Sequence, residues 1–152
     1  MTDKEAMKLA ISEAYRGAGY VSPNPLVGCV VLDCNSKFLS KGYHQHFGQA
    51  HAEVNAIKGL TKNQLKGAKV FVTLEPCAHE GKTPSCAKML AQLPIQEVIY
   101  GLTDPNPLVS GQGAKIIREA GIKVTQYRHL KFELEKVCEH FLMNFRKKRP
   151  FI

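Results

Sequence analysis

Lys69-Val70-Phe71-Val72-Thr73-Leu74-Glu75-Pro76-Cys77 is the stretch on which the fold turns. Residues 69–74 form an apolar, β-branched run, the pattern of a strand buried within a sheet. The strand then gives way, through Glu75-Pro76, to a cysteine. Downstream, helical and strand signals alternate. Residues 84–93 read as a helix with Pro84 in its first turn, where a missing N–H costs nothing. Residues 96–100 read as a strand, 111–120 as a helix closed by Gly121, 122–127 as a strand and 131–145 as a final helix. Upstream, residues 4–18 carry Ala6, Leu9, Ala10, Ala14 and Ala18 at helical spacing, with Gly17 and Gly19 marking the end. Ser22-Pro23-Asn24-Pro25 is a rigid loop, because the prolines fix φ and bias Ser22 and Asn24 toward extended backbone. Residues 27–32 and 38–43 read as paired strands joined by a turn at Asn35-Ser36, and 51–60 as a helix. A hairpin followed by strand–helix alternation predicts an α/β fold, a central mixed sheet of about five strands with helices on both faces.

The chain has 152 residues, 44% hydrophobic and 22% charged, which fits one soluble domain. No repeat, low-complexity segment or apolar run of about 18 residues is present, so a membrane partner is not expected. The five cysteines (Cys29, Cys34, Cys77, Cys86, Cys138) come without a secretory signal. That combination predicts a reducing cytoplasm, where clustered Cys and His favour metal over disulfides. The net charge of +8 is spread along the chain, apart from Arg146-Lys147-Lys148-Arg149. A short terminal run of this kind reads as a solvated tail, so residues 1–145 form the expected domain and 146–152 a basic linker.

Two segments read together carry the chemistry: His51-Ala52-Glu53, and Glu75-Pro76-Cys77 followed by Cys86. His51, Cys77 and Cys86 supply three of the four tetrahedral ligands that zinc prefers. A site with three protein ligands leaves a fourth place for water, which is the catalytic form. Two thiolates and a neutral imidazole balance the charge of the ion, which lowers the pKa of its water toward 7. The helix starting near Cys86 is expected to help keep that thiol deprotonated. Glu53 is the expected proton shuttle, taking a proton from the water and delivering protons to a ring nitrogen and a leaving amine. On a regular helix a residue two places from His51 would point away from it, but cap-like dihedrals at His51 would relax this. His-x-Glu alone, or Pro-Cys alone, would carry little information; their conjunction at strand-to-helix junctions is what points to a zinc deaminase.

The chain resembles the deaminase domain of the bifunctional riboflavin-biosynthesis enzymes. The resemblance lies in Pro23-Asn24-Pro25-Leu26-Val27-Gly28-Cys29-Val30, Gly42-Tyr43-His44, His51-Ala52-Glu53, Leu74 through Cys86, and Asp104-Pro105-Asn106-Pro107. The eight residues between Cys77 and Cys86 set it apart from nucleic-acid deaminases of the same superfamily, which usually have two there. The resemblance implies the three-layer cytidine-deaminase-like fold, one zinc per chain, and hydrolysis of the 2-amino group of a phosphoribosylated diaminopyrimidine. It places Lys82 and His79 toward the ribose phosphate, Asp104 and Asn106 on ribose or phosphate, and Asn24 and His44 on the pyrimidine. Read without it, Asp104-Pro-Asn-Pro is a turn, and Asn24, His44 and His79 are loop or surface residues. Cys29, Cys34 and Cys138 fit apolar positions as ordinary thiols.

Family members often have a second proline where Ser85 stands. Arg149-Pro150-Phe151-Ile152 resembles the start of the first strand of an NADPH-dependent reductase domain, so the chain is expected to be either an excised domain or a stand-alone deaminase with a reductase domain or partner elsewhere. The family resemblance separately implies homo-oligomeric association through the deaminase domain. NADPH binding by this chain is not expected. Two rival readings remain. One is a zinc deaminase of free bases, nucleosides or tRNA; the lack of tryptophan and of aromatics alternating with basic residues weighs against a nucleic-acid partner. The other is a non-enzymatic zinc module, against which Glu53 beside a three-ligand set weighs.

Overall fold

The computed structural model describes residues 1–22, 24–79 and 85–139. Helix α1 (Asp3–Ala14) starts at a capping box in which Thr2 and Glu5 satisfy one another's backbone N–H groups. It runs into a 3-10 turn, Tyr15–Gly17. Strands β1 (Gly28–Leu32) and β2 (Phe38–Tyr43) follow, then α2 (Ala52–Ile57), a four-residue α3 (Lys62–Leu65) and β3 (Lys69–Leu74). The chain continues through α4 (Cys86–Ala91), β4 (Glu97–Leu102), α5 (Gln112–Glu119), β5 (Lys123–Gln126) and α6 (Lys131–Val137). The expected elements are all present, with ends within a few residues of those expected, except that the expected start at 84 and end at 145 lie outside the described residues. The additional helix α3 is held by a second capping box, Thr61 with Gln64.

The sheet has five strands in the order β2-β1-β3-β4-β5. β1 is antiparallel to both neighbours, with Cys29 opposite Gly42 on one side and Val72 on the other. β3, β4 and β5 are parallel, joined by the α4 and α5 crossovers. The sheet is therefore mixed. β1 and β3, flanked on both sides and covered on both faces, are the most apolar strands, as their sequences require.

Alternation along each strand divides the core in two. Val30, Leu32, Phe71 and Ile99 face α1 and α6. Cys29, Val31, Val70, Val72 and Val98 face the layer of α2, α4 and α5. Each fully buried aliphatic or aromatic side chain contributes about 1.5–3 kcal/mol of transfer free energy. Gly42 lets α2 lie directly on β2: a Cβ there would sit 2.5 Å from the Ala56 nitrogen.

This topology builds the site. The carboxyl ends of β2, β3 and β4 and the amino end of β1 converge on one edge, where Gly28 N donates to Thr73 Oγ1 at 3.2 Å. Open α/β sheets place their ligands at the carboxyl ends of strands.

Candidate active site

His51 is the N-cap of α2, with φ −75° and ψ 171°. Its extended backbone breaks the helical periodicity, so its ring and the Glu53 carboxyl reach the same cavity. Cys77 arrives from the end of β3. Cys86 begins α4, whose N-cap Ser85 accepts from Lys88 N at 3.1 Å. The two cysteine segments are tied directly: Ala87 N donates to Cys77 O at 3.0 Å, and Cys86 N to Cys77 Sγ at 3.3 Å.

The ligand atoms of His51, Cys77 and Cys86 all lie within 4.8 Å of one another. His51 Nδ1 is 3.3 Å from Cys86 Sγ and 3.6 Å from Cys77 Sγ. Tetrahedral zinc, with bonds of about 2.0 Å to nitrogen and 2.3 Å to sulfur, needs N–S edges of about 3.5 Å. The donor set and its spacing fit zinc.

The two thiols share a proton. The hydrogen bond between Cys77 and Cys86, and then the one from His51, favours a thiolate at Cys77 while the shared proton stays with Cys86. The first N–H of helix α4, expected to favour the Cys86 thiolate, is directed at the Cys77 sulfur. His51 is raised, first by its hydrogen bond with Cys77. Burial pushes the Glu53 carboxyl up to about 7.

A cavity of about 200 Å³ is lined by Asn24, His44, His51, Glu53, Cys77 and Asp104, among others. Six of the ten residues singled out in the sequence thus meet around one space. A larger cavity of about 550 Å³ shares His51 and Cys77 with it, and adds Cys86 and His79. His79 thus lines the larger cavity and not the smaller one. Asn106 lines neither cavity; its Oδ1 accepts from Leu108 N at 3.0 Å, and its own N–H donates to Asp104 Oδ1 at 3.0 Å. The turn reading of this loop is thus realised, whatever further role its side chains have. Burial raises the Asp104 carboxyl and lowers the His44 imidazole. Lys82 and the linker expected at 146–152 lie outside the described residues. Cys29 and Cys138 are buried thiols, and Cys34 is exposed.

Sequence reasoning assigned no role to Glu75. Its Oε1 accepts from Asp104 N at 3.1 Å and Gly111 N at 3.0 Å, and its Oε2 from Ala114 N at 3.1 Å. One carboxylate thereby ties the end of β3 to the loop after β4 and to the start of α5. Gly113 allows the approach, since a Cβ there would run into the Pro76 carbonyl oxygen. The donors lie about thirty or more positions downstream (|i−j| of 29, 36 and 39), so no local pattern marks them.

Residues 1–102 match the family model of the cytidine and deoxycytidylate deaminase zinc-binding region. The riboflavin biosynthesis protein RibD of Actinobacillus pleuropneumoniae is 43% identical over 152 residues, which is the whole of this chain and 40% of that protein. The diaminohydroxyphosphoribosylamino-pyrimidine deaminase of Buchnera aphidicola subsp. Schizaphis graminum is 43% identical over 124 residues, 82% of this chain and 83% of that one. Among solved structures, the diaminohydroxyphosphoribosylaminopyrimidine deaminase/5-amino-6-(5-phosphoribosylamino)uracil reductase of Thermotoga maritima superposes with a TM-score of 0.87 at 44% identity. That match covers 97% of this chain and 42% of the other. The chain spans about two-fifths of the length of the RibD proteins it matches.

Proposed function

Because the chain belongs to the cytidine and deoxycytidylate deaminase zinc-binding family, within its riboflavin-biosynthesis deaminase branch, we propose that it hydrolyses the 2-amino group of 2,5-diamino-6-(5-phosphoribosylamino)pyrimidin-4(3H)-one and releases ammonia. The observation that carries this reading is the cluster of His51, Cys77 and Cys86 sharing a cavity with the buried carboxyl of Glu53.

His51 Nδ1 and the two sulfurs would hold zinc, which supplies the polarisation that makes water a nucleophile near neutral pH. Glu53 moves the protons. Its carboxyl, raised to about 7, is close to equally ready to accept a proton from water and to give one to a ring nitrogen or the departing amine. Cys29, directly behind it in β1, stays a thiol because burial, and then the Glu53 charge, raise its pKa. Asn24 and His44 together hold the pyrimidine or its substituents at one side of the cavity. Asp104 and Asn106, with His79 and Lys82 from the segment between the cysteines, take the ribose and phosphate. Lys82 acts there as a point charge.

The deaminase domain is residues 1–145, with 146–152 a basic linker. The product passes to a reductase of the kind named in the Thermotoga relative, present as a further domain or a separate protein. Association through the deaminase domain and a cytoplasmic location complete the reading. Among the described residues, no helix is long and apolar enough to cross a membrane.

The test is ammonia release from the diaminopyrimidine phosphate by the zinc-loaded chain. Release well above that of a Glu53→Gln control is expected; equal rates would overturn the reading.

A further inference from the structure

Asn24 and His44 meet across twenty residues of sequence, and their contact has a direction. His44 follows β2, with its backbone N–H on Val27 O at 3.1 Å and its ring edge-on to His51, centroids 5.1 Å apart. Its Nδ1 lies 3.1 Å from Ala50 O. That carbonyl is held in place by Asn55, whose Nδ2 donates to it at 3.3 Å and to Tyr43 O at 2.8 Å. A carbonyl oxygen only accepts, so Nδ1 carries the ring proton and Nε2 presents a lone pair. Nδ2 of Asn24, which only donates, lies 3.2 Å from Nε2.

The chain of consequence runs from backbone to cavity. The Ala50 carbonyl sets the tautomer of His44, and the tautomer sets which end of the Asn24 amide faces the ring. Oδ1 is the end left over. It has no hydrogen-bond partner among the described residues, and Asn24 lines the cavity that Glu53 and Asp104 also line.

We propose that His44 is a positioning residue that fixes the polarity of Asn24, so that the cavity meets its ligand with an amide oxygen. At that point it then selects a ring carrying an N–H donor over one carrying a carbonyl oxygen. This deepens the deaminase reading and rests on it for the identity of the ligand. The hydrogen-bond relay itself is independent of the ligand.

Two measurements test it on the zinc-loaded full chain. The first is long-range proton–nitrogen correlation NMR of the histidine rings, with His44 assigned through the His44→Gln variant. The relay requires the proton on Nδ1 and a bare Nε2; a proton on Nε2 would overturn it. The second compares steady-state turnover of the diaminopyrimidine phosphate by His44→Phe and His44→Gln. The Gln oxygen can replace Nε2 as acceptor for Asn24, and Phe cannot. His44→Phe should raise KM by about 3- to 10-fold, the value of one hydrogen bond, with a smaller change in kcat, and His44→Gln should recover most of the loss. Equal losses in both variants, or a loss in kcat with KM unchanged, would overturn the proposed role. If the wild-type chain turns over none of this substrate, the functional reading falls, while the NMR result still decides the relay.

Discussion

Glu53 and Glu75 are both carboxyl groups sealed at the same edge of the sheet, 3% and 5% exposed, and both line the smaller cavity. Their surroundings differ in kind. Glu75 receives three backbone N–H groups from the loop after β4 and the start of α5, which is the environment of an acceptor that never moves. Glu53 sits between the buried Cys29 thiol and the cysteine pair, where burial raises its pKa and a hydrogen bond from its own backbone N–H offsets only part of that. Two acidic residues of one site thus divide the labour. One is a fixed bolt that holds the Asp104 loop and the start of α5 against the end of β3, and the other is the proposed proton shuttle.

The contrast breaks most visibly at Glu53. Glu53→Gln keeps shape and volume and removes the exchangeable proton, so turnover should fall by about 10²–10⁴-fold while the melting temperature holds or rises. Steady-state rates and thermal melts check both halves. A variant that lost stability but kept its rate would exchange the two roles.

Glu75→Gln sharpens the contrast from the other side. An amide would turn an N–H toward a backbone N–H that now finds an oxygen, leaving a buried donor unmatched at a cost of about 1–3 kcal/mol. The melting temperature should fall by roughly 2–4 °C per kcal/mol. KM should rise as the Asp104 loop loosens, with a smaller loss in kcat than at Glu53. Denaturant titration together with turnover separates these outcomes.

The smallest effect isolates burial from the site altogether. Cys138, against the α1 and α6 layer, is pushed up to about 12 by burial alone. A raised thiol pKa means that the fold holds its proton more tightly than the unfolded chain does. The stabilisation is complete below the ordinary thiol value of about 9 and drains away as pH climbs toward 12. Melts from neutral to alkaline pH should be flat and then decline, with a shallower decline in Cys138→Ala.

How much of this was legible beforehand follows from the range of each interaction. Strand and helix positions were readable because apolar periodicity is local: residues 69–74 and 38–43 were placed at their observed ends. The metal set was readable because His51, Cys77 and Cys86 are rare residue types at element junctions. Helix α3 was missed, although Thr61 and Gln64 stand at capping-box spacing, because four residues are too few for periodicity to register. Glu75 was invisible in role because its donors are backbone N–H groups, which every residue except proline possesses. The N–H that Cys86 directs at the Cys77 sulfur could not be read either, because no spacing rule says where a single helix N–H points.

The central claim is that zinc is gripped by His51, Cys77 and Cys86 and not by Glu53. Metal content per folded chain, measured for the wild type, Glu53→Gln and Cys77→Ser after identical zinc loading and dialysis, tests it most directly. Wild type and Glu53→Gln should retain zinc equally, and Cys77→Ser should lose most of it. Zinc lost from Glu53→Gln, or retained in full by Cys77→Ser, would contradict the claim.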